Sequence, residues 1–332
     1  KYTYQPNLIN YNNMKIKSLH RYAIKGLAGD VVSSMKLYDG DGTFQDDRRF
    51  ALLYANDFSN NDMIKFDEDN PKWLHKENFL CAFTAPELLA TLDTEYRIES
   101  RVDNDDADIM GGTKRLLTVW DRKLGRTSTP LLGPTDLGCE LGREETSQFF
   151  TELCGRKVKC VVASTPKNVQ NEELGRVITL DSQHMHQFGN TSAGGLGPKG
   201  DTRTIHIVNE NTVKQFSEAV FGVEDCDDCK VLTSTRFRPN IVIGNLDPWA
   251  EFDLIGKTIE IVPKEDNDAK ESPLRLRIVS RTVRCEGVGV DPLHPALGAL
   301  DIPNLLATHF PKHGPYLGVY AVVVDDEQSS CG

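Results

Sequence analysis

The chemistry this chain can do is concentrated in a few segments. One is Thr233-Ser-Thr-Arg-Phe-Arg-Pro-Asn-Ile-Val-Ile243. Arg236 and Arg238 are two residues apart, so an extended chain projects both to the same side. Pro239 stiffens the backbone and biases Arg238 towards an extended conformation. Asn240 adds an amide just before an apolar strand. Such a segment can hold a guanidinium fork against a phosphate. It reads equally well as the start of a strand whose arginines pair with Asp and Glu. A second segment is Arg281-Thr-Val-Arg-Cys-Glu-Gly-Val-Gly-Val-Asp-Pro292. Cys285 follows an arginine, and nearby positive charge favours thiolate over thiol. Gly287 and Gly289 let the backbone approach a bulky ligand, and a soft thiolate suits a transition metal. Taken alone, the segment reads more simply as a buried, inert cysteine.

Weaker signals surround these two. Gly194-Gly-Leu-Gly-Pro-Lys-Gly-Asp-Thr-Arg-Thr204 could form an anion-binding loop with Thr202, Arg203 and Lys199. It contains neither GK[ST] nor GxGxxG. Cys226-Asp-Asp-Cys229 is a lone CxxC with no second ligand pair at zinc spacing, so it reads as a surface turn. His184 and His186 read as solvated, and Asp201 and Asp291 as structural carboxylates that shape turns and orient arginines.

The elements that must position these residues are mostly strands. Leu116–Trp120, Lys157–Val162 and Thr258–Val262 have strand character, and Leu274–Ile278 alternates, with one face buried and one wet. Val319–Val324 is a continuous apolar run that suits a fully buried strand. Helices are expected over Ala85–Leu92, over Glu144–Cys154 with Gly155 as C-cap, and over Asn211–Phe221 with Asn209 or Asn211 as N-cap. Few helices among many strands predict a mixed α/β, β-rich protein built from barrels or curled sheets, not a doubly wound sheet. Residues 60–70, 103–112 and 264–272 read as polar loops, and a boundary is expected near Ser164–Glu173.

With 332 residues, 39% hydrophobic and 26% charged, the chain can bury the cores of two lobes. Its formal net charge of −11 disfavours nucleic acid and anionic lipid as partners. Within that acidic frame, Arg236, Arg238, Arg275, Arg277, Arg281 and Arg284 form a local basic set suited to an anion. No apolar run is long enough to span a membrane. Eight scattered cysteines point to free thiols in a reducing, intracellular compartment, cytoplasmic or mitochondrial. The chain starts at Lys1 rather than Met, which is compatible with a processed or omitted terminal segment.

Taken in order, Arg236-Phe-Arg-Pro-Asn240, Asp247-Pro-Trp249, Leu254-Ile-Gly256, Arg284-Cys285, Val290-Asp-Pro292 and Gly318-Val-Tyr320 resemble the molybdenum cofactor sulfurase C-terminal (MOSC) domain. Tyr22-Ala-Ile-Lys-Gly26, Asp47-Arg-Arg-Phe50 and Asp201-Thr-Arg-Thr204 are similar to further motifs of the same family. The likeness runs from about Ile16 to Val324, and is to the group that includes the mitochondrial amidoxime-reducing component. The resemblance implies an N-terminal β-rich domain over 1–168 and a MOSC β-barrel over 169–332. It implies a molybdenum cofactor (molybdopterin) whose metal is bound by Cys285. Lys25, Arg49, Thr202, Arg203, Arg238, Asn240 and Arg284 match the residues around the pterin and its phosphate. The implied activity is removal of oxygen from N-hydroxylated or N-oxide substrates, with electrons from a haem cytochrome and a flavin reductase. The alternative is a cofactor carrier or sulfur-transfer module without turnover of its own. Departures include Thr282 where many relatives have a second cysteine, Ala23 for Pro, and Gly26 for Ser. The segment 190–200 looks inserted, and the chain ends soon after Val324, where relatives add a strand.

Overall fold

A computed structural model describes residues 14–35, 44–54, 76–99, 113–162, 204–222, 231–262, 273–291 and 298–324. The three expected polar loops, the expected boundary, Cys226, Cys229, His184, His186, Asp201, Thr202 and Arg203 lie outside the described residues.

The protein is mixed α/β and β-rich, with a curled half-barrel sheet. The elements run β1 (Lys15–Arg21), β2 (Asp30–Val32), β3 (Phe50–Tyr54), α1 (Pro86–Ala90), β4 (Leu92–Glu99), β5 (Lys114–Asp121), β6 (Leu132–Asp136), α2 (Glu140–Cys154) and β7 (Val158–Val162). They continue β8 (Ile205–Asn209), α3 (Glu210–Phe221), β9 (Ile241–Gly244), β10 (Thr258–Ile261), β11 (Leu274–Val283), α4 (Ile302–His309) and β12 (Tyr316–Val323). The largest sheet has the order β10-β11-β12-β8-β9-β1-β2. It is antiparallel except for β8 and β9, which α3 joins by a crossover. β1 pairs with β9 from Lys15↔Gly244 to Leu19↔Ile241, so the N-terminal strands complete a sheet made mainly of C-terminal ones.

Burial explains the sheet. All five residues of β8 are buried, and Leu276 and Ile278 of β11 face inward while Arg277 is exposed. They share one core with Phe216 of α3, Phe237, Leu317 and Val319. A second core joins Phe50, Leu52, Leu117, Val119 and Phe150. The opposite face of β3 puts Ala51 and Leu53 against Phe79, Cys81 and Val161 in a third.

The expected helices form with their caps: Asn209 Oδ1 accepts from Asn211 N, and Gly155 closes α2 at φ +66°. The stretch expected to be helical to Leu92 stops at Ala90. Arg122 reaches across from the end of β5 to the carbonyls of Ala90 (2.9 Å) and Leu92 (2.5 Å) and fixes the change from helix to strand.

Glu251 is the polar exception inside the first core. Its Oε2 accepts from Asn209 Nδ2 (3.0 Å) and Thr212 Oγ1 (2.9 Å), while Oε1 has no partner among the described residues. Burial raises its carboxyl to about 7, with Asp253 adding repulsion and the two hydrogen bonds opposing. Because the folded state favours the proton, this group's contribution is complete below its ordinary value near 4.5 and is lost as pH rises through about 7. A separation of that size corresponds to roughly 3 kcal/mol. Glu251→Gln should therefore raise the denaturation midpoint at pH 8 and change it little at pH 5. A variant less stable than wild type at pH 8 would show the carboxylate to be ionised and well paired.

Candidate functional site

Two short segments build the floor of the site. Residues 22–27 follow β1, and residues 46–50 lead into β3. They are zipped by Arg48 N to Tyr22 O (2.7 Å), Phe50 N to Ala23 O (2.9 Å) and Lys25 N to Phe50 O (2.8 Å). Asp47 Oδ1 accepts from Tyr22 N at 2.9 Å. Gly26 has φ +92°, and a Cβ there would lie 2.5 Å from Cys81 Cα, so a side chain is excluded at this position.

The 3-10 turn Ser234–Phe237 brings in the arginines. The expected extended geometry, with Arg236 and Arg238 on one side, is not what forms. Arg236 N bonds Thr233 O and Arg238 N bonds Thr235 O, winding the segment and leaving Arg238 left-handed at φ +54°. The turn's own bonds, and the use of Arg238 O by His206 and Arg48, outweigh the local bias before Pro239. The two side chains part. Arg236 is buried and donates to Val288 O (3.1 Å) and Gly289 O (2.7 Å), just beyond Cys285. Asp291 lies 3.9 Å from its Nε and accepts from Thr233 Oγ1, a structural carboxylate of the expected kind. Arg238 instead lies over the Tyr22 ring (4.3 Å) and donates to Leu27 O (2.5 Å).

Arg48 enters the same cluster at φ +52°. It pairs with Asp47, approaches Arg238 O (3.3 Å) and Asn240 Oδ1 (3.4 Å), and lies 5.4 Å from the Tyr22 ring. Arg284 closes the inner side. Its Nε donates to Leu317 O (2.8 Å), its Nη1 to Phe237 O (3.1 Å), and its Nη2 to Leu317 O and to His206 Nε2 (2.5 Å). His206 Nδ1 is 3.2 Å from Arg238 O, which sets the tautomer: Nδ1–H donates and Nε2 accepts. Burial, then the Arg284 charge, hold His206 well below the usual histidine range.

The cluster is rich in positive charge. Lys25, Arg48, Arg238 and Arg284 converge, and Asp47 is the carboxylate paired among them. Burial lowers the Lys25 ammonium; Arg238 and Arg48 lower it further, while Cys81 and Cys285 oppose them. Lys25 Nζ has no hydrogen-bond partner among the described residues and sits 5.3 Å from the Phe79 ring centroid. Burial brings Arg238 and Arg284 down to about 10, which leaves both charged at neutral pH. Tyr22 Oη is buried without a partner among the described residues, and burial raises its hydroxyl. Cys285, exposed, stands at the rim between Arg284 and the 3-10 turn Glu286–Val288. Cations in excess, an unpartnered hydroxyl and an accessible thiol suit an anionic ligand that also carries a soft metal. Among the described residues, no three His, Cys, Asp or Glu side chains come together as a metal site.

Lys25, Arg238, Asn240, Arg284 and Cys285 are thus brought together. Asn240 joins strands: its Oδ1 accepts from His206 N (3.1 Å), and its Nδ2 donates to His20 O (3.4 Å). Arg49 turns to Asp46 (3.4 Å), and Arg48 takes the inward place. Arg275 pairs with Glu260 and Arg281 covers Phe252, so the basic set read from sequence divides among separate surroundings. Tyr22, Arg48, His206 and Cys81 were not singled out as site residues. A histidine inside the continuously buried β8 is the signal that could have found His206, and the paired arginines of Asp47-Arg-Arg-Phe50 the one for Arg48. Comparison with known proteins leaves the assignment to this geometry, because no family model and no curated protein matches the chain.

The His206 tautomer gives a test. Its ring resonances should not titrate between pH 5 and 8 in NMR spectra of the folded protein. His206→Ala removes an acceptor from buried Arg284 and should cost roughly 1–3 kcal/mol. A titration midpoint near 6.5 would sink the assignment of a neutral ring.

Proposed function

We propose that this protein is a molybdenum-cofactor-dependent reductase that removes oxygen from N-hydroxylated or N-oxide substrates, using electrons from an external donor protein. The observation that carries the reading is the convergence of Lys25, Arg48 and Arg238 beside an accessible Cys285. It is supported by the order of motifs that resembles the MOSC family.

The residues fit such a cofactor in kind. A lone thiolate can hold a soft metal only if the other ligands arrive with it, and a metal–dithiolene pterin supplies them. Lys25 and Arg238 would face the pterin phosphate, because both retain nitrogens without acceptors among the described residues, and an anion there favours the protonated form of Lys25 against its burial. Tyr22 Oη would find a partner there. Bound at this place, the cofactor supplies two-electron chemistry and an acceptor for the substrate oxygen. Arg284 fixes the residue before Cys285 by bonding Leu317 O and Phe237 O, and Arg236 fixes the turn after it by bonding Val288 O and Gly289 O. The thiol is therefore held between two anchored segments. The exposure of Cys285 also suits a carrier that hands cofactor to another protein, and turnover separates the two.

Protein made in a cofactor-competent host is expected to carry about one molybdenum per chain, with a metal–sulfur X-ray absorption signal that changes in Cys285→Ser. With reduced viologen it should reduce a hydroxylamine, amidoxime or N-oxide, and Cys285→Ser should abolish that turnover. Arg238→Lys keeps charge but loses the fork, and should retain cofactor about ten- to a hundredfold less tightly. A loaded protein inactive on every N–O substrate would favour the carrier, and an unchanged absorption signal in Cys285→Ser would overturn the ligand.

A further inference from the structure

A cavity of about 510 Å³ opens between the two halves of the chain. Its wall includes Glu87 and Ala90 of α1, Arg122 and Lys123 after β5, and Val290 and Ala299 ahead of α4. None of the cluster residues around Tyr22 lines it. The volume is in the range of small-molecule sites, which favour such junctions. Arg122 is fixed in the wall: Nε and Nη2 are held by the carbonyls of Ala90 and Leu92, and Nη1 has no partner among the described residues. Lys123 is exposed, with its ammonium likewise unpaired among the described residues. Among the described residues the wall carries two cations and the carboxylate of Glu87; Asp93 and Asp291 also act on Arg122, but Asp93 is paired with Arg126 and Asp291 lies beside Arg236. Ala90, Val290, Ala299 and the aliphatic stems of the charged residues present carbon to the space between.

We propose that this cavity binds a small amphipathic carboxylate, with its apolar body against Ala90, Val290 and Ala299 and its carboxylate at Arg122 and Lys123. The site does not depend on the molybdenum reading. The open Nη1 of Arg122 and the ammonium of Lys123 suit a carboxylate, and the carbon wall gives a bare inorganic anion little to contact. Arg122 is pre-organised, because its orientation is set by the main chain before any ligand arrives.

The probe is 1-naphthoate, titrated into the full-length chain and followed by calorimetry. It should bind with Kd on the order of 1 mM or tighter. The neutral 1-naphthalenemethanol should bind about tenfold more weakly, and inorganic phosphate should not compete. Lys123→Glu should weaken naphthoate about tenfold, and Ala299→Trp, which fills the space, should abolish binding. Both positions are exposed, so each variant should keep the wild-type melting temperature. Equal affinity for the alcohol, competition by phosphate alone, or unchanged binding in Ala299→Trp would each overturn the proposal.

Discussion

A buried guanidinium must find acceptors, and in this protein the acceptors are mainly main-chain carbonyls. Arg236 takes those of Val288 and Gly289, Arg284 those of Leu317 and Phe237, Arg238 that of Leu27, and Arg122 those of Ala90 and Leu92. A carbonyl satisfies the hydrogen bond but carries no full charge. The arginines are therefore anchored without a directly hydrogen-bonded carboxylate; Asp291 lies near Arg236, while no carboxylate is paired with Arg284 among the described residues. A cluster paired with carboxylates would have been neutral and indifferent to anions.

The same bonds tie distant parts of the chain together. Arg238 links the 3-10 turn before β9 to the segment after β1, and Arg284 links the end of β11 to β12 and, through His206, to β8. Asn240 adds β1 to that set through His20. Asp46, Arg48 and Arg238 all have positive φ without being glycine, a conformation that costs about 1–3 kcal/mol each and persists only where surrounding contacts enforce it. Those contacts here are the Asp47, Tyr22, His206 and Leu27 bonds, so backbone strain and buried charge sit at the same place.

Much of the fold was legible because burial writes a period into sequence. The β11 alternation, the apolar run of β12 and the caps of α2 and α3 are local signals that need no partner to be read. The helix α4 was not among the expected helices, although it carries local marks: Asp301 as N-cap, Pro303 in the first turn, and Ile302 and Leu306 buried one turn apart. The candidate site was legible in part. Arg238, Arg284 and Cys285 stand out by residue type and neighbours, and the structure does gather them with Lys25.

The sequence by itself determined which residues had chemistry to offer and that strands would carry them, since side-chain type and apolar period are local properties. Tertiary structure alone decided which way each cation points. Arg48 and Arg49 part because Arg49 pairs with the buried Asp46 while Arg48 reaches Arg238 O and Asn240 Oδ1. Arg236 and Arg238 part because the segment winds into a 3-10 turn whose carbonyls are used by His206 and Arg48, residues 30 or more positions away in the chain. The cavity beside Arg122 has walls from both halves of the chain, so it exists only once they have packed. Direction and enclosure depend on acceptors that are near in space and far in sequence, and no local pattern encodes them.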